Sequence, residues 1–271
     1  RTLGALSATW KPVIRTPFEP LLPAVEFVEA GDRVAMLEAF AQTGQGRYGK
    51  GPVAAVILEL IQGEAGVRPL GADYVAAVRR MCDAHNALMI VDEVQTGIGR
   101  TGQWFAFQCP ALSGGIIPDA ITFAKGVGSG FPMGGLIAFG SKLSALFTPG
   151  SHGSTFAGNP LGAAAALATL GAIEDEGLLA NARARSAQIR RGIAESTNPL
   201  LDYARGQGLL LAIQLSHPCA HAAMRWALDH GLIVNAVAPG ALLISPPFIV
   251  SDAVVDVALS LLNAIPDDLF D

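Results

Sequence analysis

Residues 87–102 read ALMIVDEVQTGIGRTG. Ala87–Val91 is apolar at every position, carboxylates follow at Asp92 and Glu93, and glycines come at 97, 99 and 102. A strand with one wet face alternates polar and apolar residues. One that is apolar throughout is covered on both faces, as in a parallel sheet carrying helices on each side. The same form recurs outward from this stretch. VAAVIL (Val53–Leu58) is closed by Glu59, AITFA (Ala120–Ala124) by Lys125, and GGLIAF (Gly134–Phe139) makes a fourth run. Between the first run and Ala87, residues 72–84 place Val75, Val78, Met81 and Cys82 at helical spacing. Strand, helix and strand in that order predict an α/β fold, a mainly parallel sheet with helices on both faces.

Further along, Asn159-Pro160 opens an alanine-rich helix to about Ile173, with Asn at the cap and Pro in the first turn, where its missing N–H costs nothing. That helix is apolar nearly all round and is expected to be buried or to form an interface. Beyond Glu174 the texture changes. An Arg-rich helix to about Ser196 precedes a strand at Leu209–Leu215 and a helix at His221–His230. Short strands near Ile233 and Leu242 and a last helix from Asp252 come after these. The expected division is a large unit over residues 1–173 and a smaller α+β unit over 174–271. Gln42–Pro52 (QTGQGRYGKGP) reads as an exposed loop.

Composition removes several function classes. With 51% hydrophobic and 15% charged residues in 271, intrinsic disorder is excluded. The longest nearly unbroken apolar run, Leu161–Ile173, falls short of the roughly 20 residues of a membrane span. A net charge of −5 argues against a nucleic-acid partner, which calls for a basic patch. Cys82, Cys109 and Cys219 have neither metal-ligand nor disulfide-framework spacing, so the expectation is a reducing cytoplasm and no metal. The opening RTLGALSATW lacks the apolar stretch of a signal peptide. It starts on Arg1 and not Met, and reads as beginning in the middle of something longer.

In open parallel sheets ligands bind beyond the carboxyl ends of the strands. Glu59, Asp92 and Lys125 each follow such a strand, so two carboxylates and an amine are expected to share one crevice, with Lys125 a candidate nucleophile. GIGRTG (Gly97–Gly102) matches a dinucleotide fingerprint in letters only. Asp92 and Glu93 put negative charge where a pyrophosphate must lie, Asp119 precedes its strand and does not end it, and Gln103-Trp104-Phe105 starts no clear helix. A better anion site is His152-Gly153-Ser154-Thr155, ahead of the helix at Pro160. Arg205, ahead of the Leu209 strand, is either a surface charge or a clamp for a carboxylate.

Five segments in this order carry a family likeness: ELIQGEAGV (Glu59–Val67), IVDEVQTGIGRTG (Ile90–Gly102), PDAITFAKGVGSGFPMGG (Pro118–Gly135), HGSTFAGNP (His152–Pro160) and RGQGLLL (Arg205–Leu211). Together they resemble the class III aminotransferases over essentially the whole sequence. The resemblance implies a pyridoxal-phosphate-dependent transferase of fold type I, the aspartate-aminotransferase fold, with residues 1–173 binding the cofactor and incomplete at their N-terminus. Lys125 would bond to the cofactor and later shuttle a proton. Asp92 would pair with the pyridinium nitrogen, and Gln95 would approach the ring's 3-oxygen. Glu93 and Val94 would also bind the cofactor. Thr155 would bind the cofactor phosphate across a homodimer interface, with Ser154 near the substrate. Arg205 would clamp the α-carboxylate of glutamate or 2-oxoglutarate, and Glu64 would mask Arg205 in the other half-reaction. Arg1 matches the arginine of the family's F-H-G-R-[ST] motif and would hold the carboxylate of an acylated donor; Glu59 would support the site from behind.

Within the family the likeness is strongest to members that move the δ-amino group of N2-acetylornithine to 2-oxoglutarate in arginine biosynthesis. Ornithine, 4-aminobutyrate, succinylornithine and succinyl-diaminopimelate are the alternative donors, and the related aminomutase is a further alternative. A truncated, non-catalytic chain is the reading from another class. Departures from the family pattern are Trp10, Leu60, the Gln42–Pro52 loop, a small insertion at Ala111–Gly115, and the absence of the phosphate cup and ring-stacking aromatic upstream of Arg1.

Overall fold

The computed structural model describes residues 2–41 and 52–270. Arg1, and the Gln42–Pro52 loop except Pro52, lie outside the described residues. The apolar runs form β1 (Ala55–Leu58), β4 (Leu88–Asp92), β5 (Ala120–Phe123) and β6 (Gly135–Ala138), with the short pair β2 (Ile61–Gln62) and β3 (Arg68–Pro69) after β1. The sheet order is β1-β4-β5-β6. Strands β1, β4 and β5 are parallel, as the sequence predicts. Strand β6 is antiparallel to β5, which continuous hydrophobicity alone does not announce. The link between them holds only the tight turn Lys125–Gly128, too little for the crossover a parallel strand needs. Both-face cover holds for Met89, Val91, Ala120 and Ile121, whereas Ile57 of β1 and Leu136 of β6, at the sheet edges, stay half exposed.

The helix Ala72–Ala84 lies where its periodicity puts it, and Val75, Val78 and Cys82 join Met89, Val91 and Ile121 in one core. Asp119 is pinned behind that core. Its Oδ2 accepts from Arg79 Nη1 at 2.7 Å and from the Met89 N–H at 2.7 Å. Burial alone would raise this carboxyl; the Met89 N–H and the Arg79 guanidinium outweigh burial and hold it below the ordinary carboxylate range. Asp119→Ala leaves the Met89 amide and one nitrogen of the half-buried Arg79 guanidinium without their acceptor, the other nitrogen keeping Asp83. It should cost about 2 kcal/mol and lower the melting temperature by roughly 4–8 °C. A shift under one degree in a thermal scan would remove Asp119 from the stabilising residues.

A second sheet comes next, entirely antiparallel, with order β7-β8-β10-β9. Its strands are β7 (Leu201–Gln207), β8 (Leu210–Leu215), β9 (Asn235–Ala238) and β10 (Ala241–Ile244). Strand β7, LDYARGQ, is too polar for its pattern to reveal it, so Arg205 sits within a strand and not in a lead-in loop. Side chains alternate along β8. Leu210 and Ala212 enter the core of the first sheet, while Leu211, Ile213 and Leu215 enter a second core with Ile189, Ile193, Val255 and Leu262 from the helices Leu178–Ala194 and Asp252–Asn263. The helix Pro160–Asp175 is capped as predicted, Asn159 Oδ1 accepting from the Gly162 N–H at 2.7 Å. Its expected burial holds for Gly162, Ala166 and Ile173 alone, because among the described residues no layer covers Leu161 (65% exposed) or Leu167 (72%). No described helix is long and apolar enough to cross a membrane.

Candidate active site

Because β1, β4 and β5 run parallel and adjacent, the chain leaves all three strands at the same end of the sheet. Glu59, Asp92 and Lys125 all lie there. Asp92 ends β4 opposite Thr122 of β5. Its Oδ1 accepts from Thr122 Oγ1 at 3.0 Å and from the Val94 N–H at 3.0 Å. Both bonds fall on one oxygen, so the carboxylate is oriented while Oδ2 remains for a further partner. Thr122 is a positioning group the sequence reading missed; its only signal was a hydroxyl inside the apolar run AITFA. Lys125 begins the turn after β5 with φ +46°, a left-handed conformation that an L-residue adopts at a cost of about 1–3 kcal/mol and that clusters at functional sites.

Glu59 faces the same end of the sheet. Its Oε2 accepts weakly from the Gly63 N–H at 3.4 Å. Burial pushes its carboxyl up to about 7 from an ordinary 4.5; the Gly63 bond opposes this, Asp92 adds to it and Lys125 opposes it. The unfolded chain therefore loses this proton near pH 4.5 and the folded chain near 7. Stability should fall between those values by up to about 3 kcal/mol and level off above. Glu59→Gln removes the slope. Melting curves from pH 4 to 8 on the protein without added ligand should diverge between about pH 4.5 and 7 and stay apart above, with the glutamine variant the more stable there; parallel curves would contradict the assignment.

The turn after Glu59 seats Gln95. A Cβ on Gly63 would lie 2.2 Å from Gln95 Oε1, so only glycine lets the amide rest there. From that seat Gln95 Nε2 donates to Glu64 Oε1 at 3.3 Å. Glu64 also pairs with Lys11 Nζ at 3.5 Å, an exposed pair worth little by itself. The Glu64–Arg205 pair that the resemblance implies is not formed. Arg205 Nε donates to the Gly66 carbonyl at 2.8 Å and Nη1 to Gln214 Oε1 at 2.5 Å, since β7 passes under the turn at Gly66. Among the described residues no carboxylate pairs with this guanidinium.

Glu93 points the other way. It is buried, accepting from Thr96 Oγ1, from the Ala106 N–H at 3.0 Å and from the Phe107 N–H at 2.9 Å. Burial still leaves its carboxyl raised, the three donors offsetting only part of that. Any contact of residue 93 with a ligand falls to its backbone, because the side chain is committed to the 96–107 loop. Ser154 and Thr155 are exposed, and the first turn of the helix behind them is already capped by Asn159. A cavity of about 180 Å³ lies between the two sheets, lined among others by Glu64, Gln95, Arg100, Lys125, Leu210 and Phe248. It is smaller than the ~300 Å³ at which ligand pockets begin. Of the departures, Leu60 is fully buried and Trp10 is exposed, edge-on to Phe27. Ala111–Gly115 falls on the short helix Pro110–Ser113 and its left-handed end at Gly114. Among the described residues no group of His, Cys, Asp and Glu side chains is placed to hold a metal ion.

Comparison with known proteins places this geometry. The family described as aminotransferase class-III matches residues 1–265. The acetylornithine aminotransferase of Bifidobacterium longum is 69% identical over 271 residues, all of this chain and 63% of that protein. Its counterpart in Streptomyces coelicolor is 42% identical over 267 residues, covering 98% and 63%. Among solved structures, the N-acetylornithine aminotransferase of Stenotrophomonas maltophilia superimposes with a TM-score of 0.76 at 33% identity, over 89% of this chain and 61% of that one. The ornithine aminotransferase of Toxoplasma gondii gives 0.84 at 26% identity, over 97% and 61%. The chain spans a little under two thirds of the length of the relatives it matches.

Proposed function

The chain belongs to the class-III aminotransferases, and from that premise we propose that it serves pyridoxal-phosphate-dependent transfer of the δ-amino group of N2-acetylornithine to 2-oxoglutarate, giving N-acetylglutamate 5-semialdehyde and glutamate. The observation that carries the donor is 69% identity, over the whole chain, to an acetylornithine aminotransferase. Residues 1–173 act in this reading as the cofactor-binding unit and 174–271 as the smaller one. The donor set suits pyridoxal phosphate at its ring end, where an oriented carboxylate and an amine follow neighbouring strands. Bound there, the cofactor supplies a conjugated ring that draws electrons from the carbon bearing the amino group.

The chain's own residues do the rest. Asp92, its Oδ1 held by Thr122 and the Val94 N–H, would offer Oδ2 to the cofactor's ring nitrogen. Lys125 would hold the cofactor through its Nζ and, when free, that amine would accept and return the substrate's proton. Gln95 would serve the ring's 3-oxygen, Val94 and the Glu93 backbone would contact the cofactor, and Thr155 would offer its hydroxyl to the cofactor phosphate in a partner subunit, with Ser154 near the substrate. Arg205 takes the α-carboxylate of the dicarboxylate. Glu64 is freed from Lys11 and Gln95 to mask Arg205 when an ω-amine enters. Arg1, outside the described residues, takes the donor's carboxylate. The exposed Leu161 and Leu167 support a homodimer, and a cysteine spacing that fits no disulfide framework supports a cytoplasmic setting.

A donor panel tests the reading. N2-acetylornithine with 2-oxoglutarate should give the highest kcat/KM; turnover of 4-aminobutyrate far above it would sink the donor assignment.

A further inference from the structure

Strand β7 carries Arg205, and the root and the head of this side chain are held by different parts of the fold. At the root, Arg190 of the helix Leu178–Ala194 forks onto the carbonyls on either side of residue 205. Its Nη1 donates to Ala204 at 2.9 Å and its Nη2 to Gly206 at 2.5 Å. At the head, Arg205 Nε meets the Gly66 carbonyl and Nη1 meets Gln214 Oε1. Gly66 has φ +98°, which favours glycine, and a Cβ there would crowd Arg205 Nη2 at 3.1 Å. Gln214 stands on β8 in register with Tyr203, one diagonal step from Arg205. Its amide is fixed from the far side. Gln214 Nε2 donates to the Leu215 carbonyl at 2.9 Å, which turns Oε1 toward the guanidinium.

Both head contacts are neutral oxygens. A neutral acceptor orients a guanidinium without cancelling its charge, and these bonds leave other N–H groups of Arg205 for a carboxylate. Glu64, which could cancel the charge, lies on the same turn as Gly66 but is turned to Gln95 and Lys11. We propose that Gln214 is a positioning residue that holds the Arg205 head in place with its charge intact, so that the dicarboxylate meets a clamp already aligned. The inference rests on the function proposed above. In the donor half of that reaction Glu64 pairs with Arg205 and fixes the head itself, so Gln214 serves the dicarboxylate half. The root stays pinned by Arg190 whatever stands at position 214, so losing Gln214 loosens the head alone.

The test compares wild type with Gln214→Met, which keeps the side-chain length and loses the strong acceptor. In a reaction of two alternating halves, kcat/KM for each substrate reports its own half. The value for 2-oxoglutarate should fall about tenfold, through KM, while that for N2-acetylornithine stays within about twofold. Equal falls for both substrates, the signature of a strut with no positioning role, overturn the proposal, and so does an unchanged value for 2-oxoglutarate. If Gln214→Met does not fold, Gln214→Leu replaces it with the same expected split. A second readout needs no turnover. Phenylglyoxal modification of Arg205, followed by peptide mass mapping, should run about fivefold faster in the variant, because a head released by Gln214 leaves its seat more often. Faster modification supports the hold on Arg205 even if wild type fails to transaminate, in which case the function falls. An unchanged rate overturns the hold itself.

Discussion

Replacing Lys125 with arginine is expected to cut transamination by about ten-thousandfold, the upper end of what a positioned acid–base group contributes. The substitution keeps positive charge and most of the side-chain length, so it isolates the chemistry. A guanidinium stays protonated at any pH the protein survives and can neither attack a carbonyl nor accept the substrate proton. Folding should be spared, because Lys125 is exposed at the mouth of the cavity. Lys125→Ala should lose as much activity, and a left-handed residue there remains strained whichever side chain it carries. A readout independent of turnover accompanies this: borohydride treatment of the cofactor-loaded protein, followed by peptide mass mapping, should fix the cofactor on Lys125. Activity of Lys125→Arg above about one hundredth of wild type, or a label on another lysine, would end the assignment of this residue.

The second large effect is on stability. Glu93→Ala removes one carboxylate and leaves three donors, Thr96 Oγ1 and the amides of Ala106 and Phe107, facing an apolar hole. Unpaired buried polar groups cost about 1–3 kcal/mol each, partly relieved by rearrangement, so a total near 4 kcal/mol is expected. That corresponds to a melting temperature lower by roughly 8–16 °C. Activity should fall with it, since Asp92, Gln95 and Arg100 flank the loop that Glu93 holds. Glu93→Gln should recover part of the loss, because its one carbonyl oxygen accepts but its NH2 meets donors. If alanine melts within two degrees of wild type, Glu93 is not the anchor of the loop.

Sequence patterns reached furthest where one physical force decides the outcome. Continuous apolar runs showed β1, β4 and β5 and placed Glu59, Asp92 and Lys125 at one sheet end before any contact was known. The helix at 72–84 followed from spacing alone. The features that escaped depended on partners distant in the chain. The antiparallel sense of β6 is set by the length of a link, and β7 hides because a half-buried strand beside a covered neighbour tolerates LDYARGQ. Glu93 was expected to contact the cofactor, and only the fold shows its carboxylate turned inward onto the 96–107 loop. The Arg205 and Glu64 partners turn on where the Gly66 loop rests, which no local pattern encodes. GIGRTG matched a nucleotide fingerprint in letters only, and its contact with Leu209 spans more than a hundred residues of chain.

The two-faced burial of β8 has a consequence for how the chain comes apart. A strand whose even side chains belong to one core and odd ones to another cannot leave either without opening both. The two sheets should therefore melt as one cooperative unit, with calorimetric and van't Hoff enthalpies in agreement, and not as a stable half beside a molten one. Damage travels by the same route: a lesion at Asp119, far from the second sheet, lowers the population of the whole fold, Arg205 included. Robustness in this chain is thus a shared property, and so is fragility.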